Sequence, residues 1–196
     1  MSMQPDHLSS DKANDIRDQL LVMRWQDGES AAMNELVDRW YKRLWRHARR
    51  LTDSDDDATE VMQNAWLGMI KTIGRLDDPA RFKYWAYRIV TNKSADFIRQ
   101  RVRHKEKTQS LGLIEPVAPV ENVPEESLTQ MLSKLSLEHR TVISLRYAEE
   151  LSLEEIALLL NLPLGTVKSR IHYALESLQK MAQKENDHGK SGKQTS

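Results

Sequence analysis

The chain has 196 residues, enough for one medium domain or two small ones, and its 29 lysines and arginines balance 29 aspartates and glutamates. Net charge therefore selects neither a nucleic acid nor a membrane as partner. Cysteine is absent, which excludes disulfides and thiolate metal sites, and no apolar run nears the ~18 residues of a membrane span, so a soluble, cytoplasmic protein is expected.

Glycine, proline and aromatics are sparse and strand-like alternation is nearly missing, which predicts an all-α fold. Residues 1–11 are polar and expected to be disordered. A first helix spans residues 12–26, with Ile16, Leu20 and Met23 on one face and Asp27-Gly28 as its stop. A longer helix starts near Ser30. Met33, Leu36, Val37, Trp40, Tyr41, Leu44, Trp45, Ala48 and Leu51 hold the helical period for five turns. Its other face carries Arg39, Lys42, Arg43, Arg46, Arg49 and Arg50, which reads most simply as a solvated surface and alternatively as a nucleic-acid or polymerase contact.

Residues 52–56 form a turn. The run Asp53-Ser54-Asp55-Asp56-Asp57 lacks the glycine and the distal glutamate of a calcium loop, so no metal is expected, and the acids read as a cap for the next helix. That helix, residues 57–73, can bury Ala58, Val61, Met62, Ala65 and Met69. Gln63, Asn64 and Trp66 are left near an edge where a partner helix can pack, with a core role for Trp66 equally open.

After a loop at residues 74–79, a helix over residues 80–103 carries Phe82, Trp85, Ile89 and Val90 as core candidates; Tyr84 and Tyr87 are harder to bury with them. Arg81, Lys83, Arg88, Lys93, Arg99, Arg101 and Arg103 are interleaved. Aromatics and cations on one element can bind single-stranded DNA by stacking and phosphate attraction, or can be a basic helix snorkelling over a core. Residues 71–107 hold eleven bases against four acids, whereas residues 115–126 hold four acids and no base. Residues 106–124, with Gly112, Pro116, Pro119 and Pro124, read as a flexible linker between a domain at 12–105 and another at 125–181.

In the second domain Leu128, Met131, Leu132 and Leu135 mark a short helix, and Ser136 caps another holding Val142, Ile143 and Leu145. Ser152 with Glu155 is a capping box opening a helix with Leu153, Ile156, Ala157 and Leu160 on one face. Asn161-Leu162-Pro163 ends it, and a second helix puts Val167, Ile171, Ala174, Leu175 and Leu178 on one side. Ser169, His172, Tyr173 and Glu176 lie opposite, with Lys168 and Arg170 on the flanks. This is the layout of a helix-turn-helix whose second helix enters a major groove, though an ordinary antiparallel helix pair has the same periodicity. Residues 182–196 read as a polar tail.

Leu151-Ser152, Glu155-Ile156-Ala157 and Gly165-Thr166-Val167-Lys168-Ser169-Arg170-Ile171-His172 resemble the promoter-reading C-terminal domain of extracytoplasmic-function (ECF) bacterial sigma factors. The resemblance implies minus-thirty-five contacts by Thr166, Lys168, Ser169, Arg170, His172 and Tyr173. Asp57-Ala58, Val61, Gln63 and Trp66 resemble the family segment that docks on a coiled coil of the polymerase largest subunit, implying core contacts by Asp57, Glu60, Gln63, Asn64 and Trp66; Glu60 stands where the family commonly has Asp. Phe82, Trp85, Ile89, Asn92, Asp96 and Arg99 resemble the segment that captures the melted minus-ten element. That implies roles there for Arg81, Lys83, Tyr84, Arg88, Asn92 and Arg99, with a base pocket in the loop at residues 75–81. An anti-sigma partner is a common family arrangement.

Two departures stand out. Tyr173-Ala174-Leu175 replaces a common Arg-Ala-Arg, and residues 127–181 hold six bases and six acids, so this domain attracts phosphates only weakly. The rival readings are a dimeric operator-binding regulator, which leaves residues 57–103 without a role, and a helical adaptor or sigma antagonist with no DNA contact. No zinc-protease, phosphate-loop or dinucleotide motif is present, so neither an enzyme nor a cofactor is expected.

Overall fold

The serine and acids after residue 51 show how the local sequence sets the elements of this computed structural model, which describes residues 6–110 and 128–191. Ser54 Oγ accepts from the Asp57 N–H at 3.1 Å and so caps helix α3 (Asp55–Thr72). Asp55, Asp56 and Asp57 occupy its first turn, at the positive end of the dipole, and the helix begins two residues before the expected start. It buries Ala58, Val61, Met62, Ala65 and Met69 against α2 (Ser30–Leu51) and α4 (Phe82–Ser110).

Helix α2 is the hub. Met33, Leu36, Trp40, Leu44, Ala48 and Leu51 are buried as their period predicts, while Tyr41 is exposed. Trp40 meets the edges of Phe82 at 5.5 Å and Tyr87 at 6.1 Å, tying α2 to α4. Between α3 and α4 the chain makes two 3₁₀ turns, Ile73–Arg75 and Pro79–Arg81.

Helix α1 (Asp6–Gln26) corrects two expectations. It begins inside the segment expected to be disordered, of which residues 1–5 lie outside the described residues. Its buried stripe is also not the expected one: Ile16, Leu20 and Met23 are half or more exposed, while Asp18, Leu21 and Val22 are buried. The face toward α2 holds Leu21, Val22 and Trp25, as many large apolar side chains as the exposed stripe, together with Asp18, whose carboxylate accepts from Arg39 Nε at 2.7 Å. Arg39 lets Asp18 be buried on that face without leaving an unpaired charge.

The C-terminal part comprises α5 (Leu128–Ser133), α6 (Leu137–Ile143) capped by Ser136, a π turn at Ser144–Ala148, α7 (Leu153–Leu160) and α8 (Leu164–Ser191). Helix α4 runs to Ser110, so the start of the expected 106–124 linker is helical; residues 111–124 lie outside the described residues. Helix α8 likewise continues through most of the expected polar tail, and residues 192–196 lie outside the described residues. Among the described residues no strand occurs, and no helix is long and apolar enough to cross a membrane.

The two helical units were expected to act as separate modules, and here they pack together: α5 and α6 rest on α2, and α7 rests on α4. Tyr87, expected to resist burial, is fully buried because its hydroxyl finds an acceptor across this junction in Glu149.

Candidate nucleic-acid and polymerase surfaces

In the helix-turn-helix, the expected capping box forms in both directions. Glu155 N–H donates to Ser152 Oγ at 3.1 Å, and Ser152 N–H donates to Glu155 Oε2 at 2.6 Å. Asn161 ends α7 with φ +53°, a left-handed conformation that asparagine tolerates better than most residues, and Leu162 N–H closes back on the Ala157 carbonyl at 2.9 Å. Helix α8 then packs through Val167, Ile171 and Ala174, with Leu178 half-buried. Leu175, placed on that stripe by its spacing, is 36% exposed.

The opposite edge is open. Lys168, Ser169, His172 and Tyr173 are exposed, the His172 and Tyr173 rings meet at 5.5 Å, and Ser169 Oγ donates to the Thr166 carbonyl at 3.0 Å. Lys168 has no ion-pair partner among the described residues. Arg170 differs from the expected free flank: its guanidinium lies 2.7 Å from Glu138 of α6 and is only 24% exposed. One cation, rather than two, brackets the edge freely.

On α4, Arg88, Asn92 and Arg99 face solvent, and Arg99 pairs with Asp96 at 2.6 Å. Asp78 caps the turn before the helix, accepting from Ala80 N–H at 3.0 Å, and also pairs with Arg81 at 3.2 Å. One of the two acids in this loop is thereby committed to local structure. Lys83 lies over the Tyr84 ring, 5.8 Å from its centroid. The Tyr84 hydroxyl donates to Glu155 of α7, and burial together with that carboxylate pushes Tyr84 up to about 12. Burial alone would push Glu155 up; the bonds from Tyr84 and Ser152 outweigh it and leave its carboxyl below the ordinary value. A cavity of about 410 Å³ opens here between Asp77, Asp78, Arg81 and Trp85 on one side and Leu158 and Leu159 on the other.

The α3 edge keeps part of the expected polymerase-facing set. Glu60, Gln63 and Asn64 are exposed. Asp57 is held by Arg101 of α4 with its side chain 15% exposed, and Trp66 is 8% exposed within the core. Neither presents a free surface. The apolar contribution at this edge comes instead from Leu67, 57% exposed and one turn beyond Gln63 and Asn64, which sequence reasoning missed.

Sequence reasoning also missed a buried polar seam between the two helical units. Glu149, directly after the π turn, has its side chain 2% exposed and accepts from Arg43 Nε at 3.1 Å, from Arg50 Nη2 and from the Tyr87 hydroxyl. Arg43 also lies over the Trp40 and Tyr87 rings at 5.5 and 5.8 Å. Ser144 Oγ accepts from Arg50 Nε at 2.9 Å and lies 3.1 Å from His47 Nδ1, while His47 Nε2 lies 2.9 Å from Thr91 Oγ1. A neutral imidazole satisfies this chain of groups, and burial beside Arg50 lowers His47 to about 3. The signal was present in the spacing: Trp40, Arg43, His47 and Arg50 follow i, i+3, i+7, i+10 along one face of α2.

Residues 36–104 match the family model for Sigma-70 region 2, and residues 131–180 match that for Sigma-70, region 4. The chain is similar to the ECF RNA polymerase sigma factor SigW of Bacillus subtilis (strain 168), with 31% identity over 174 residues covering 81% of this chain and 93% of that protein. It is also similar to the ECF RNA polymerase sigma-E factor of Escherichia coli (strain K12), with 30% identity over 183 residues covering 86% and 95%. Among solved structures it is similar to CnrH in complex with the cytosolic domain of CnrY, with TM-score 0.64 and 25% identity over 85% of this chain and 97% of that one. The sigma factor RpoE in complex with the anti-sigma factor NepR, from Bartonella quintana, shares the fold, with TM-score 0.60 and 22% identity over 76% of this chain and 96% of that one.

Proposed function

Since the chain belongs to the ECF family of RNA polymerase sigma factors and acts in transcription initiation, we propose a division of labour among the three surfaces described above. The unit of residues 12–105 binds core polymerase through Glu60, Gln63, Asn64 and Leu67 on α3. The same unit holds melted minus-ten DNA through Arg81, Lys83, Tyr84, Arg88, Asn92 and Arg99. The unit of residues 125–181 reads the minus-thirty-five duplex through Thr166, Lys168, Ser169, His172 and Tyr173, with Arg170 contributing once it leaves Glu138. The chain works in the cytoplasm beside polymerase and carries out no catalytic step of its own. The solved relative that is a complex with an anti-sigma factor supports a partner of that kind here.

The observation that carries this reading is the open edge of α8, whose exposed side chains are polar while its other face is locked in the core. A dimeric operator binder would use the same edge, yet it would give α3 and α4 no task. Two weak DNA sites on one chain gain strength from each other through effective concentration, which suits a C-terminal unit of balanced charge.

The test is in vitro transcription with core polymerase on a promoter library. The parent chain is expected to direct initiation at a defined subset of promoters. His172→Ala with Tyr173→Ala is expected to change the preferred upstream bases while co-purification with core polymerase stays normal. A chain that fails to direct initiation, or a double variant with unchanged promoter choice, overturns the assignment.

A further inference from the structure

We propose that Glu149 is the latch of a self-closed form of the free chain, in which α7 of the C-terminal unit occupies the Tyr84 end of the strand-binding surface of the N-terminal unit. The covered end belongs to the surface assigned above to minus-ten DNA, so that part of the inference rests on that reading.

Three observations converge on it. The carboxylate of Glu149 is buried, and its side-chain partners, Arg43, Arg50 and Tyr87, all come from the other unit. Such a cradle of donors is specific for an anion, and the C-terminal unit supplies one at the end of its π turn. Next to the latch, Ser144 takes a bond from Arg50 at 2.9 Å, and Arg140 of α6 donates to the Leu51 carbonyl at 3.3 Å. The junction thus joins a polar seam around Glu149, whose groups regain water when the units part, to an apolar contact that continues from the core of one unit into the other.

Closure also has a cost for DNA. The Tyr84 hydroxyl is committed to Glu155, and Leu158 and Leu159 of α7 wall the cavity beside Asp78, Arg81 and Trp85. A melted strand and α7 cannot both occupy that place. Apparent affinity of the free chain for single-stranded DNA is then reduced by the fraction of molecules that are open, and whatever engages the open form alone draws the latch out.

The absence of cysteine makes the test direct. Cysteines introduced at the exposed positions Asn34 of α2 and Gln179 of α8 carry spin labels, and the distance distribution between them is measured in the free full-length chain. The parent is expected to give one narrow distribution. Glu149→Gln is expected to move much of the population to longer, broader distances, and Glu149→Lys, which adds a third cation to the cradle, to move nearly all of it. Unchanged helix content by circular dichroism shows that both variants are folded, and Arg50→Ala repeats the opening from the other side of the junction. A parent that is already broad, or folded Glu149 variants with the parent's distances, overturns the latch. In parallel, a fluorescent single-stranded minus-ten oligonucleotide is titrated, and Glu149→Lys is expected to bind about tenfold tighter or better. Opened distances with unchanged oligonucleotide binding leave the latch standing and remove the strand-binding role from Tyr84 and Lys83.

Discussion

Helices α2 and α8 both carry cations, and the fold neutralises a row of them on α2 while leaving Lys168 of α8 without an ion-pair partner among the described residues. On α2, Arg39, Arg43, Arg49 and Arg50 are bound to Asp18, Glu149 and Asp55, two of which are buried. On α8, Lys168 stands free beside exposed Ser169, His172 and Tyr173. Periodicity alone lets the α2 face be read as a solvated surface or as a nucleic-acid or polymerase contact, and the α8 face as a reading edge. The difference teaches that a basic stripe is a binding surface only where the fold leaves its charges unneutralised; a buried ion pair broken from one side costs several kcal/mol, while an exposed cation contributes little to stability and much to phosphate attraction.

The comparison breaks first at Trp40, the ring that supports the α2 stripe from within. Trp40→Ala removes its contacts with Phe82, Tyr87 and Arg43 and is expected to cost about 3–5 kcal/mol. Urea unfolding measures this, and a loss below about 1 kcal/mol would show that the stripe is not anchored in the core.

Acid sharpens the contrast next. His47 sits at about 3 in the folded chain, below the ordinary histidine value of ~6.5, so between these values the unfolded chain takes up a proton that the folded chain refuses. Its contribution to stability is whole above about pH 6.5 and is lost as pH falls toward about 3, at ~1.4 kcal/mol per pH unit. Arg50 and the Tyr87 ring lie beside the imidazole, and Ser144 and Thr91 sit at hydrogen-bond distance from its two nitrogens. Unfolding measured from pH 7 to pH 4 should show this slope in the parent and a shallower one in His47→Asn, with parent-like behaviour in His172→Asn on the open edge. Equal slopes in all three would remove His47 as the cause.

The smallest effect on stability belongs to Lys168. Lys168→Ala should change unfolding by less than about 0.5 kcal/mol, yet lower the salt dependence of duplex binding by about one ion. A larger loss of stability with the same salt slope would place Lys168 with the α2 arginines.

Much of this molecule could be read from the chain alone. The all-α fold, the run of α2, the Ser152–Glu155 box and the turn through Asn161 follow from interactions within a few residues, and each formed as read. So did the buried sets of α3 and α8 at Val61, Met62, Val167 and Ile171, because an apolar side chain needs only to leave water and its spacing says which way. What escaped was the fate of polar groups. Asp18 was buried against Arg39 on the face of α1 opposite the expected one, Asp57 and Arg170 went to partners at 101 and 138, and Trp66 sank while Leu67 stayed out. Glu149 found its cradle some hundred residues upstream. Periodicity reports the side on which a residue lies, but a charge is satisfied by one partner at hydrogen-bond distance, and only the tertiary packing of the two units decides which carboxylate meets which arginine.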